Sequence, residues 1–302
     1  MSAFPPRGLA SGLRAAGWLS LLLAAQALGP GPARAAPAGA APTSAWFRTS
    51  DGVRLHYLEA GRGRPIVFVT GWTFGADLWA RQLAHFAPTH RVVALDPRSQ
   101  GRSQIAPGGH NPERRAADIA ELIEALGADR VVLVGWSLGV LEALAYVRQA
   151  GQERLAGLVL VDNSVGEQPP PEPTDFMRKY RADRRPALAE YVRSMFRHPQ
   201  PEAFYEGLVA GALRTPYKVS LELLSTLYPR DVWRRIVHSV ERPLLYAVTP
   251  EFAAQAHNLR RHRPGTRIEV FPTAGHALFY DEPQRFNAVL ADFLATVHWG
   301  RG

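Results

Sequence analysis

Two residues in this chain have both the type and the setting for nucleophilic chemistry. The first is Ser137, in Gly135-Trp136-Ser137-Leu138-Gly139. The run Val131 to Val134 ahead of it is uniformly apolar, as a strand buried on both faces must be. Leu138 to Gln149 behind it reads as a helix. A serine on a sharp strand-to-helix turn is held in a strained backbone, and glycines two positions to either side let neighbouring backbone close in. Because the helix starts immediately after the serine, its free N–H groups favour negative charge there. The Leu138 N–H can then donate to an oxyanion. The second residue is His276, which follows Phe271-Pro272-Thr273-Ala274-Gly275. Gly275 frees the backbone to turn, and His276 would point over the C-terminal edge of a sheet, where it could take the serine proton. The chain order serine, acid, histidine would follow. His198, His238, His257 and His262 lie in helical sequence and His56 alternates in a strand, so none of these has a comparable setting.

These side chains need a frame, and the pattern from Trp46 onward supplies one. Strand-like segments at Val53 to Leu58, Pro65 to Thr70, Arg91 to Leu95, Val131 to Val134, Leu155 to Val161, Pro243 to Val248 and Arg267 to Phe271 alternate with helical ones. The helical segments are Leu78 to Phe86, Pro112 to Leu126, Leu138 to Gln149, Phe252 to Leu259 and Pro283 to Val297. Such alternation predicts an α/β fold, a mostly parallel central sheet with helices on both faces. One stretch interrupts it. Residues 164–241 open on Pro169-Pro170-Pro171-Glu172-Pro173, a stiff extended hinge, and continue without strand pattern. Helices are expected near Thr174 to Tyr180, Pro186 to Phe196, Pro201 to Leu213 and Tyr217 to Leu227. This predicts a helical cap inserted into a core made of residues 46–163 and 242–302.

Composition sets the outer bounds. The chain has 302 residues, 46% of them hydrophobic and 21% charged, enough for one large core. It has no cysteine, which excludes disulfides, thiol catalysis and thiolate metal sites. No His-Glu-x-x-His or comparable ligand spacing is present, so no metal or cofactor is expected. At the N-terminus, Arg7 and Arg14 precede an apolar run from Ala15 to Leu28, then Gly29-Pro30-Gly31-Pro32 and Ala33-Arg34-Ala35. That order reads as a secretory signal peptide over residues 1–35, cleaved after Ala35, with 36–45 as a flexible leader. The expected location is periplasmic or secreted. The apolar run is shorter than the ~20 residues of a stable membrane span, and an uncleaved anchor is the alternative. The formal charge is +8; without Arg7, Arg14 and Arg34 it is +5. The arginines are scattered, and no basic run alternates with stacking aromatics, so no nucleic-acid partner is expected.

Taken in order from Trp46 to Val297, the chain resembles the α/β-hydrolase family, in particular its capped single-domain serine hydrolases. Thr70-Gly71-Trp72, after a buried strand, is similar to the family's His-Gly-aromatic oxyanion loop. The resemblance implies that the Trp72 N–H is the second oxyanion donor, beside that of Leu138. Asp96-Pro97-Arg98-Ser99-Gln100-Gly101-Arg102-Ser103 resembles the family's D-x-R-G-x-G-x-S turn, and Gly75 with Trp79 matches its G-x-x-x-W spacing. Asp96 and Arg98 are read as a buried turn tied by hydrogen bonds. The acid departs from the family pattern. Where members usually have Gly-x-x-Asp, this chain has Ala247-Val248-Thr249-Pro250-Glu251. Some members place the acid instead at the strand end occupied here by Asp162, which is the expected third catalytic residue, with Glu251 as its rival. Asp281 and Glu282 read as charges at a helix start.

The resemblance implies a Ser137–Asp162–His276 triad that cleaves carboxylic esters through an acyl-enzyme. A serine nucleophile argues against dehalogenase or epoxide hydrolase chemistry in this fold. Trp72 and Trp136 are expected to form an aromatic wall, with Trp136 in the substrate pocket. Cap residues such as Phe176, Tyr180, Tyr191, Met195, Phe196, Phe204, Tyr205 and Leu208 are candidates to line an apolar pocket. The expected partner is therefore a small-molecule ester, small to medium in size and fairly apolar. A perhydrolase, lyase or C–C hydrolase on the same triad, or a slow-turnover ligand receptor, are the alternatives.

Overall fold

A computed structural model describes residues 41–300, and the expected signal peptide lies outside them. Eight strands form one sheet: β1 (Thr43–Arg48), β2 (Arg54–Ala60), β3 (Pro65–Val69), β4 (Arg91–Leu95), β5 (Val131–Trp136), β6 (Leu155–Val161), β7 (Leu244–Val248) and β8 (Thr266–Val270). Their order is β1-β2-β4-β3-β5-β6-β7-β8. β1 pairs with β2 and β2 with β4 antiparallel; from β4 to β8 every pairing is parallel. Every residue of β3, β5, β6 and β7 is buried. That is why these strands read as unbroken apolar runs rather than alternating ones.

A 3-10 turn at Ala76–Trp79 leads into α1 (Ala80–Phe86); α2 (Pro112–Ala125) and α3 (Leu138–Ala150) flank β5 in sequence. The stretch between β6 and β7 holds α4 (Phe176–Ala182), α5 (Arg184–Ser194), α6 (Glu202–Arg214), α7 (Tyr217–Ser225) and α8 (Arg230–His238). After β7 come α9 (Pro250–His262), α10 (Leu278–Asp281) and α11 (Pro283–Leu294).

Two elements differ from the sequence reading. Among the described residues the sheet already includes Thr43, inside the expected leader, because β1 pairs along its whole length with β2, from Thr43–Glu59 to Arg48–Arg54. It is an edge strand whose residues are exposed or half-buried, so it lacks the apolar signal of its neighbours. The insertion also has a fifth helix, α8. It buries Trp233, Ile236 and Val237 and packs against α3, but three arginines, an aspartate and a histidine among its nine residues mask the pattern.

Candidate active site

Ser137 sits at the end of β5 with φ 55° and ψ −124°, a left-handed conformation that is strained for a non-glycine residue. The flanking glycines are obligatory. A Cβ on Gly135 would lie 2.2 Å from the Gly139 carbonyl oxygen, and one on Gly139 would lie 2.5 Å from that of Val69. Asn163 Nδ2 donates to the Ser137 carbonyl at 2.7 Å and helps hold the turn.

The Ser137 hydroxyl lies 2.9 Å from His276 Nε2, and His276 Nδ1 lies 2.8 Å from Asp162 Oδ2. Serine, imidazole and carboxylate thus form one continuous hydrogen-bonded chain. Asp162 is 1% exposed and follows β6 with φ 49°. Its other oxygen, Oδ1, accepts from the Thr249 N–H at 2.7 Å and the Thr249 hydroxyl at 2.8 Å. The loop after β7, where the family's usual aspartate is missing, therefore orients Asp162, the candidate for its place. Glu251 stands nearby on the first turn of α9 but makes no hydrogen bond to His276. Burial first, then the charge of Asp162, push its carboxyl up, with His276 opposing.

The histidine loop is held from two sides. From below, Trp136 Nε1 donates to the His276 carbonyl at 2.9 Å, and the two rings lie 5.2 Å apart. From above, the Asp281 carboxylate accepts from the N–H groups of Gly275 and Arg197, both at 2.7 Å, and the Ala277 N–H donates to the Met195 carbonyl at 2.9 Å. A Cβ on Gly275 would lie 2.5 Å from that Met195 oxygen. Asp281, expected only as a charge at a helix start, thus ties the segment after α5 to the residues around His276.

The Gly71-Trp72 loop closes over the serine: a Cβ on Gly71 would approach Ser137 Cβ to 2.8 Å. Gln100 Nε2 holds this loop through the carbonyls of Gly71 (2.8 Å) and Phe74 (2.9 Å). Among the described residues, neither the Trp72 nor the Leu138 backbone N–H donates to a protein acceptor. The Trp72 indole turns away from the site. Its Nε1 donates to the Ser220 carbonyl at 2.8 Å, and its ring meets Phe176 and Tyr180 edge-on, anchoring the insertion. The Asp96 turn is structural, as expected. Asp96 accepts from the N–H groups of Ala76 and Arg102 and pairs with His56, while Arg98 is clamped by Asp118 and Asp51.

A cavity of about 600 Å³ opens over Ser137 and His276, lined by both the sheet edge and the insertion. Of the cap residues expected to line it, Phe176, Tyr191 and Met195 do. Trp136 does not. It is fully buried behind His276 and takes a supporting position rather than the expected place in the pocket wall. Tyr180 is bonded to Ser220, and Phe204 and Leu208 face a separate cavity of about 460 Å³. The wall over Ser137 is also more polar than an apolar pocket requires, with Asn163, Thr174, Thr249 and Glu251 among its residues. Burial pushes the Tyr191 phenol up to about 12, opposed by the Ser137 hydroxyl it faces, so it stays neutral. Among the described residues, no group of three or more His, Asp or Glu is placed to hold a metal ion, and no helix is long and apolar enough to cross a membrane.

The profile of the alpha/beta hydrolase family matches residues 66–289. A non-heme haloperoxidase of Rhodococcus erythropolis is 41% identical over 113 residues, 37% of this chain and 41% of that protein. A bifunctional esterase/perhydrolase of Acinetobacter calcoaceticus is 37% identical over 119 residues, 38% of this chain and 43% of that protein. The matches thus span about two fifths of these relatives' length. The structure of an esterase from Exiguobacterium antarcticum superposes with a TM-score of 0.77 at 22% identity, covering 84% of this chain and 100% of its own, a likeness of fold.

Proposed function

The chain belongs to the α/β-hydrolase family, and within it we propose an exported serine hydrolase that cleaves carboxylic esters through an acyl-enzyme. The observation that carries the reading is the unbroken chain from Ser137 through His276 to Asp162 on the wall of a cavity of substrate size. His276 takes the Ser137 proton as the hydroxyl oxygen attacks the acyl carbon. Asp162 fixes the imidazole tautomer and stabilises its charged form. The unspent N–H groups of Trp72 and Leu138 receive the oxyanion, each supplying ~3 kcal/mol of transition-state stabilisation. His276 then protonates the leaving alcohol and activates the water that frees the acid. Export rests on the order of charges, apolar run and small residues before Ala35.

A second reading, perhydrolysis, draws on the haloperoxidase and esterase/perhydrolase relatives. There hydrogen peroxide replaces water as the acceptor of the acyl group and yields a peracid, with the same residues in the same roles. Steady-state hydrolysis of a p-nitrophenyl ester series, from acetate to long acyl chains, tests both, with peroxide added to divide the acyl-enzyme between its two acceptors. Turnover by the wild type that disappears in Ser137→Ala is the expected result. A wild-type protein inert towards every chain length would sink the esterase reading in favour of the ligand-receptor one.

A further inference from the structure

Glu251 is not needed for the chain from Ser137 to Asp162, yet its carboxylate lines the same cavity. The other charges on that wall are matched. Lys179 reaches Glu190 at 2.6 Å and Asp175 at 3.6 Å, and Arg178 shares Asp175 at 2.8 Å. Asp162 is bonded to His276 and Thr249. Glu251 makes no hydrogen bond or ion pair among the described residues, and it lines the same wall as Asp162, whose like charge acts on it. A cation brought into the cavity would offset the Glu251 charge.

The wall beside it has the complementary chemistry. Phe252, next in the chain, lines the cavity, as do Phe176 and Tyr191, whose rings lie 4.8 Å apart. Aromatic faces attract organic cations, quaternary ammonium groups included, and an unpaired carboxylate beside them adds a Coulomb attraction. A neutral ester gains nothing from the Glu251 charge, and an anionic one is repelled by it. The chain as a whole is basic, at +8, but that field is screened beyond about 8 Å at physiological salt and does not govern the cavity wall.

We propose that Glu251 selects the substrate, and that the preferred esters carry an alkylammonium group on the acyl or alcohol part, received by Glu251 and the rings of Phe176, Tyr191 and Phe252. This rests on the esterase reading for its chemistry but not for its binding, and two measurements keep them apart. In calorimetry with phenyltrimethylammonium, the full chain should bind at least fivefold more tightly than Glu251→Gln. Independently, kcat/KM for choline acetate should exceed that for its neutral isostere, 3,3-dimethylbutyl acetate, by about tenfold. That ratio should fall towards one in Glu251→Gln and below one in Glu251→Lys. A wild-type ratio near one overturns the proposal, as does equal affinity of wild type and Glu251→Gln for the cation. Should neither ester turn over, the esterase reading is lost and the calorimetric comparison alone decides whether Glu251 binds a cation.

Discussion

Replacing Asp162 with asparagine separates the two roles of this carboxylate. The change is nearly isosteric, and asparagine tolerates the left-handed backbone at φ 49°. Asp162 accepts on both oxygens, from Thr249 on one side and from His276 Nδ1 on the other. An amide can accept on only one. With its oxygen towards the Thr249 N–H, its NH2 group faces His276 Nδ1, which must then be unprotonated. The ring proton moves to Nε2, which donates towards Ser137 instead of accepting from it. The reverse orientation sets an NH2 against the buried Thr249 N–H, an unsatisfied pair worth about 1–3 kcal/mol. The first orientation therefore prevails, and it locks the histidine in the tautomer that cannot take the serine proton. The expected loss in kcat is about 10⁴-fold, equivalent to ~5.4 kcal/mol of barrier. The assay is p-nitrophenyl acetate turnover by the wild type, Asp162→Asn and Glu251→Gln at matched concentration. If Asp162→Asn keeps more than a tenth of wild-type kcat, or Glu251→Gln loses more than it does, Asp162 is not the acid and the tautomer argument fails.

Two further predictions follow from the surroundings of the site. Asp281→Ala removes the acceptor shared by the Gly275 and Arg197 N–H groups. We expect a loss of about 2 kcal/mol in urea unfolding and a fall in kcat larger than any change in KM; unchanged kcat would show that the clasp does not position His276. Glu251→Gln carries a pH signature. The Glu251 carboxyl is raised above its ordinary value of 4.5 in the fold. Below that value both folded and unfolded states hold the proton. As pH rises through the raised value, the unfolded chain releases it more readily and the native state loses relative stability. The variant should therefore melt higher than wild type near pH 7.5 and match it near pH 4; an equal gain at both would show that ionisation is not the cause.

The sequence declared the centre of this molecule more clearly than its margins. β3, β5, β6 and β7 are buried on both faces, so their composition alone marks them, and the glycines around Ser137 are read directly as close backbone approach. His276 was legible because the glycine before it frees the backbone to turn after a strand; in the fold that glycine also passes the Met195 carbonyl. β1 and α8 were not legible, because one is an exposed edge and the other is diluted by arginine. Asp162 could be ranked above Glu251 only through the missing aspartate after β7; what holds it, Thr249, is 87 residues away. Trp136 was misplaced for a geometric reason. Successive side chains of a strand point to opposite faces, so the residue before the serine faces away from the cavity. There it packs on Phe279 and supports the histidine from behind. The polarity of the cavity was invisible because its wall is assembled from α4, α5, the loop after β6 and the start of α9, which no local pattern connects.

The bonds between Met195–Arg197 and the residues on either side of His276 bear on how this scaffold can be re-engineered. Exchange of inserted helices between related hydrolases is an obvious route to new selectivity, with the junctions drawn at the ends of β6 and β7. In this molecule such a cut would sever the Asp281 carboxylate from Arg197 and the Ala277 N–H from Met195. The working unit of exchange is therefore discontinuous: the donor helices together with the stretch from Gly275 to Asp281. A graft that honours only chain connectivity would arrive with its His276 loop unmoored, and any poor turnover would be mistaken for poor substrate fit.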